Sequence, residues 1–142
     1  MIIAEWKIEG LFRADAQKVY EEIGDRKITP EQVLEIAKNK KTELHKCFEW
    51  DDSKAANKYR LIQAQTIIRT LVVRTEQPDD LPVRIFQTTT VRNEYQPMRM
   101  FLTDKDEYEA LLKRCKNELK DIRNRYKQLS EMEEIFTAID AL

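Results

Sequence analysis

Residues 28–71 read ITPEQVLEIAKNKKTELHKCFEWDDSKAANKYRLIQAQTIIRTL, and the punctuation of this stretch decides the fold. Thr29 is a strong N-cap residue, Pro30 falls at the first helical position where its missing N–H costs nothing, and Gln32 can close a capping box. Ile28 and Val33 can staple the entry. These signals predict a helix over 30–38 that buries Val33, Leu34, Ile36 and Ala37. The apolar knot LHKCFEW at 44–50 fits one helical turn. Asp51 or Asp52 is then placed to cap a second helix, with a carboxylate at the positive end of its dipole. Leu61, Ala64, Ile68 and Leu71 repeat at helical spacing and carry that helix to residue 71. Tyr59 and Ile62 widen the apolar stripe, and Lys54, Asn57, Lys58, Gln65 and Arg69 form the polar side.

Upstream of this stretch, Ile2, Ala4, Trp6 and Ile8 alternate with polar residues and predict a strand with one buried side. ADAQKVYEEI at 14–23 predicts a short helix that Gly24 ends. Downstream, residues 71–75 are β-branched and extended, and GlnProAspAsp at 77–80 is turn chemistry. Residues 82–90, PVRIFQTTT, and 98–103 predict two antiparallel strands around a loop at 92–97. Strand 71–75 can extend this hairpin to three strands, and the N-terminal strand can join the same sheet.

From Thr103 onward the pattern is helical. Tyr108, Leu112, Cys115, Leu119, Ile122, Tyr126 and Leu129 are spaced alternately four and three apart, an a/d seam held over three heptads. The phase slips after Leu129, where Ser130 and Glu133 have capping-box spacing. Acid sits early (Asp104, Asp106, Glu107, Glu109), base sits late, and acid returns at Glu131, Glu133 and Glu134, which suits a helix ending near 129. The expected fold class is therefore α+β. A helix-rich single domain carries a small antiparallel, winged-helix-like sheet and a long C-terminal amphipathic helix. Residues 1–103 form the helix-turn-helix region, and residues 104–142 form a helical region packed on it.

The composition bounds the function. Of the 142 residues 36% are charged, well above the usual ~25%. The net charge is −1, which excludes a uniformly basic nucleic-acid binder but leaves room for a local basic face. Two glycines leave almost no material for a phosphate loop. No nucleophile motif and no H-E-x-x-H is present. The expectation is a non-enzymatic protein with no cofactor, metal or small-molecule substrate. No apolar run approaches the ~20 residues that span a membrane. Two cysteines and a start without a basic, apolar leader point to the cytoplasm.

A helix that reads DNA needs short polar and basic side chains near its N-terminus. Ser53, Lys54, Asn57, Lys58 and Arg60 are of those types, and residues 38–60 carry seven bases against four acids. Arg84, Arg92 and Arg99 on the following hairpin would grip phosphates as a wing. Double-stranded DNA is the partner this reading implies. Asp51 and Asp52 oppose it, and so does a connection longer than the usual 3–4 residue turn. A capped core helix with a solvated polar side explains the same residues. The basic run at 113–127, seven bases against two acids, is open to the same pair of readings.

The a/d seam can fold back on the chain's own sheet or pair with another copy, giving a homodimer or a higher homo-oligomer. His45 and Cys47 make a lone H-x-C, too few ligands for structural zinc. Asp51–Asp52 and Asp79–Asp80 would have to serve a carboxylate-dependent nuclease, but a cap and a turn account for them.

In ELHKCFEWDDSKAANKYRLIQAQTIIRTL and RNRYKQLSEMEEIFTAID the sequence resembles a group of short phage and prophage proteins. They share a Leu-His pair, a Phe-Glu-Trp-Asp-Asp run, a Tyr-Arg-Leu helix and a late Tyr-x-x-Leu helix. The resemblance implies a mobile-element origin, a bacterial host cytoplasm and a non-enzymatic role. It carries over no functional residue. Two functions follow as expectations: a phage DNA-binding protein of regulatory or accessory type, or an oligomeric assembly or host-interaction protein that uses its C-terminal helix.

Overall fold

The computed structural model describes residues 2–52, 56–77 and 79–142 of the chain. These form an α+β protein of two compact units, Met1–Met100 and Phe101–Leu142. In the first unit, strand β1 (Ile2–Trp6) leads to helix α1 (Ala16–Ile23) and helix α2 (Pro30–Ala37). Asp15 caps α1 by accepting from the Gln17 and Lys18 amides. Gly24 ends it at φ 79°, a left-handed value that costs a residue with a Cβ. The capping box of α2 is complete: Thr29 accepts from the Gln32 amide at 3.2 Å, and Gln32 accepts from the Thr29 amide at 2.9 Å. Val33, Leu34 and Ala37 are buried.

The expected turn at 44–50 is a 3-10 turn over Leu44–Cys47. Glu22 of α1 holds its start, accepting from the Glu43 amide at 2.7 Å and the Leu44 amide at 2.8 Å. Helix α3 then spans Asn57–Thr70, later than sequence alone places it. Its N-cap is Ala56, with no side-chain cap bond, so neither Asp51 nor Asp52 caps it. Residues 38–56 separate α2 from α3, far more than a helix-turn-helix allows. Ala64, Ile67, Ile68 and Leu71 are buried and join Val19, Ile23, Ile28, Leu44, Phe86 and Tyr95 in one core. The buried stripe thus runs through Ile67 instead of Tyr59 and Ile62, which are exposed.

Helix α3 runs directly into β2 (Leu71–Thr75), the centre of an antiparallel sheet ordered β1-β2-β3. Ala4 faces Val73 and Trp6 faces Leu71 across the β1–β2 ladder. The run 82–90 is broken at Ile85. Its first part, β3 (Val83–Arg84), pairs with β2, and its second part, β4 (Phe86–Thr88), pairs with β5 (Tyr95–Pro97) in a separate two-stranded sheet. Ile85 is the corner: its amide donates to Leu71 O and its carbonyl accepts from the Met98 amide.

Residues 98–103 are not a strand. Met98–Phe101 form one helical turn, α4, because the alternating Met98 and Leu102 are solvent-exposed while Phe101 is the buried side chain. The expected 82–103 wing is therefore replaced by the shorter β4–β5 hairpin, whose turn holds Asn93 at φ 60°.

In the second unit, Asp104 caps helix α5 (Lys105–Arg125) by accepting from the Glu107 amide. The helix ends at Arg125, short of 129, with Tyr126 as its C-cap. A 3-10 turn, Ser130–Met132, leads into α6 (Glu133–Asp140) without a side-chain cap, so the expected Ser130 capping box does not form. The hairpin of α5 and α6 is closed by an Arg123–Asp140 ion pair at 3.0 Å, with the Arg123 guanidinium 5.8 Å from the Phe136 ring centre. Phe136 and Ile139 are its buried residues.

Candidate functional site

The residues singled out at the front of α3 have divergent fates. Ser53 and Lys54 lie outside the described residues. Asn57 and Lys58 are exposed on the first turn of α3. Arg60 is not available to a partner, because it is built into the fold. Its Nε donates to Glu49 O at 2.9 Å, its guanidinium pairs with Asp52, and it sits 5.2 Å from the centre of the Trp50 ring. The side chain is only 12% exposed.

Arg60 is one part of a clasp made from the FEWDD and YRL segments. The His45 and Trp50 rings stack at 4.6 Å with 8° between their planes. Trp50 Nε1 donates to His45 O at 2.7 Å, and His45 Nδ1 lies 2.8 Å from Ala37 O. A carbonyl only accepts, so Nδ1 carries the proton. The Glu49 amide donates to Gln63 Oε1 at 3.3 Å. These contacts fasten residues 44–52 to the end of α2 on one side and to α3 on the other.

Of the wing arginines, Arg84 lies away from that helix front and Arg99 is held by another partner. Arg84 sits in β3 opposite Val72, just past the C-terminal end of α3. At about 1.5 Å of rise per residue, the helix separates that level from Lys58 by about 18 Å. Arg99 is exposed but pairs with Asp25 and also reaches Asp25 O. Arg92 is exposed in the β4–β5 turn. Of the other bases near α3, Lys38 pairs with Glu35 and Lys46 with Glu43.

One feature of this unit shows in the sequence only as a surplus of apolar width. A cleft of about 830 Å³ lies beside α3, with Phe12, Phe48, Tyr59 and Ile62 in its walls and Arg13 and Lys46 among its polar residues. Its signal was the surplus width of the α3 apolar stripe. Tyr59 and Ile62, read there as core, instead line the open cleft.

Cys47 also borders the cleft, and its thiol is pushed up to about 12 by burial, with the Glu43 and Glu22 charges adding to the effect. Such a thiol is a poor nucleophile. Glu43 moves the other way: the Asp15 amide and then Lys46 hold its carboxyl below the ordinary value. Asp80 accepts from Thr75 at the turn, and Asp51 and Asp52 flank the clasp. Among the described residues no group of three or more His, Cys, Asp or Glu could hold a metal ion, and no helix is long and apolar enough to cross a membrane.

The second unit presents a different surface. None of the 21 residues of α5 is buried. Along the seam Tyr108, Leu112 and Ile122 are 43–44% exposed, Tyr126 is 46% exposed, and Cys115 is an exposed free thiol. Comparison with known proteins yields no matching family model, no matching curated protein and no matching solved structure.

Proposed function

We propose that this protein is non-enzymatic and works through protein–protein contact, self-associating through its C-terminal helical unit. One observation carries the reading. An apolar seam holds coiled-coil spacing from Tyr108 to Ile122, about two heptads, on a helix that buries none of its residues. Water-exposed apolar stripes of this length are interaction surfaces more often than they are idle ones. The likeness of the sequence to short phage proteins supports a role in the assembly of a mobile element or in its contact with a host.

The front of α3 supports the DNA reading less well. Arg60 is committed to Trp50 and Glu49, Arg99 to Asp25, and Arg84 lies at the far end of the helix.

The test is sedimentation over a wide range of protein concentration, for the parent chain and for a Leu112→Glu/Ile122→Glu variant. The parent should exceed the monomer mass and the variant should not, with the same helix content in both. A parent that stays monomeric at every concentration overturns the reading. A duplex retardation assay at two ionic strengths runs beside it. Tight, salt-sensitive binding lost on changing Asn57 and Lys58 would return the function to DNA.

A further inference from the structure

We infer that α5 pairs with α5 of a second copy of this chain, antiparallel about a two-fold axis; this rests on the self-association reading and gives it a geometry. The apolar stripe supplies adhesion, and the order of charges supplies direction. Asp104, Asp106, Glu107 and Glu109 crowd the start of α5. Lys113, Arg114, Lys116, Lys120, Arg123, Arg125 and Lys127 follow, interrupted by Glu118 and Asp121. In a parallel pair the acidic starts of both copies lie together, and so do both basic ends. In an antiparallel pair each acidic start lies along the other copy's basic end, and the helix dipoles oppose as well.

Heptad positions fix a register. On α5 Leu112 and Leu119 are a residues and Tyr108, Cys115 and Ile122 are d residues, and the C-cap Tyr126 stands at the next a level just past the helix end. Antiparallel packing sets a against d. The alignment that places Leu112 over Ile122 also places Cys115 over Leu119 and Tyr108 over Tyr126, with the axis at the level of Asn117. Glu109 on the flank then meets Arg123 of the second copy. Arg123 already holds Asp140 of its own chain, so this guanidinium would bridge two carboxylates. The register has two adverse features: the axis sets Lys116 against its own copy and Glu118 against its own copy. Helix α6 leaves the stripe open, because Ile122 and Tyr126 stay exposed beside the Arg123–Asp140 pair.

The experiment is paired cysteine cross-linking in a Cys115→Ser background, with the buried Cys47 left in place. Leu112→Cys and Ile122→Cys chains are oxidised mildly, each alone and as an equal mixture, and the products are weighed. Both parent side chains are 43% exposed, so neither change opens a core. The mixture should give the Leu112→Cys/Ile122→Cys heterodimer in at least several-fold excess over the cross-linked product of either chain alone. Self-linking of each single variant at equal yield would mean a parallel pair and overturn the inference.

The second readout is salt. Self-association of the parent should weaken several-fold from about 50 mM to about 500 mM salt, because the charges between copies attract. Tightening over that range overturns the antiparallel order. A dimer by mass that cross-links in no combination places the contact on another surface, which ends this inference and leaves self-association standing. A monomer by mass ends both.

Discussion

Replacing Arg60 with alanine separates a structural arginine from a DNA-reading one. The structure gives the parts of the cost. The Nε bond to Glu49 O is a hydrogen bond from a charged donor, worth about 1.5 kcal/mol at the low end of such bonds. The guanidinium over Trp50 adds about 0.5–1 kcal/mol. The stem of a side chain that is only 12% exposed adds roughly 0.5–1 kcal/mol of packing. The Asp52 pair adds little, because that carboxylate is 85% exposed and screened. The sum is about 3 kcal/mol, most of a small domain's margin if its stability lies near the low end of the usual range. Arg60→Lys should recover the charge but not the directed bond, and lose about 2 kcal/mol.

Urea unfolding followed by tryptophan fluorescence measures this cleanly, since Trp6 and Trp50 both belong to the first unit and report on it alone. The midpoint is the quantity to compare, because Arg60 also touches Trp50 directly. A loss under about 0.5 kcal/mol, which is the range of an ordinary surface substitution, would refute the clasp. If that small loss came with abolished duplex binding, Arg60 would be a contact residue after all.

Three further outcomes follow from the same contacts. Gln96 is fully buried, and neither its amide nitrogen nor its oxygen has a partner among the described residues, so Gln96→Met should raise stability by about 1–2 kcal/mol in the same urea assay. A fall instead would mean the amide is satisfied by a buried water. A thiol reagent at mildly alkaline pH should label Cys115 at once and Cys47 only on unfolding, as read by intact mass, because the first is exposed and the second is held protonated up to about 12. Glu43 has a carboxyl lowered in the folded state. Its contribution to stability is therefore present above its unfolded value, near 4.5, and is lost as pH falls through the lower folded one. A Glu43→Gln chain should show a shallower stability loss below that point, and an unchanged acid limb would remove Glu43 from it.

Local signals carried most of the helical fold. The Thr29 and Gln32 box, the Gly24 stop and the spacing of Val33, Leu34 and Ala37 are properties of a few neighbouring residues, so they read correctly without knowledge of the rest. The misread elements depend on distant partners. PVRIFQTTT looks like one strand, yet Leu71 and Met98 claim Ile85 from two directions and split the run between two sheets. Met98, Met100 and Leu102 alternate as a strand would, but the buried residue there is Phe101. Asp51 and Asp52 precede α3 closely enough to look like caps, while Arg60 from the next turn draws Asp52 into an ion pair.

The site was misread for a related reason. A DNA-reading helix and a structural clasp recruit the same residue types, since both need a planar cation, an aromatic neighbour and short polar groups at a helix front. What separates them is the segment between the helices. Residues 38–56 form a connection longer than ordinary loops, and its described part, residues 38–52, is ordered against a conformational entropy of about 1–2 kcal/mol per residue. Leu44, Cys47 and Phe48 bury into the core and meet part of that cost. His45, Trp50 and Arg60 hold the segment further by stacking and by donating to the backbone carbonyls of Ala37, His45 and Glu49. The Leu-His, Phe-Glu-Trp-Asp-Asp and Tyr-Arg-Leu pattern is thus accounted for by folding. The exposed stripe on α5 has no such account within its own unit, and those uncovered apolar side chains are the surface that the proposed self-association would bury.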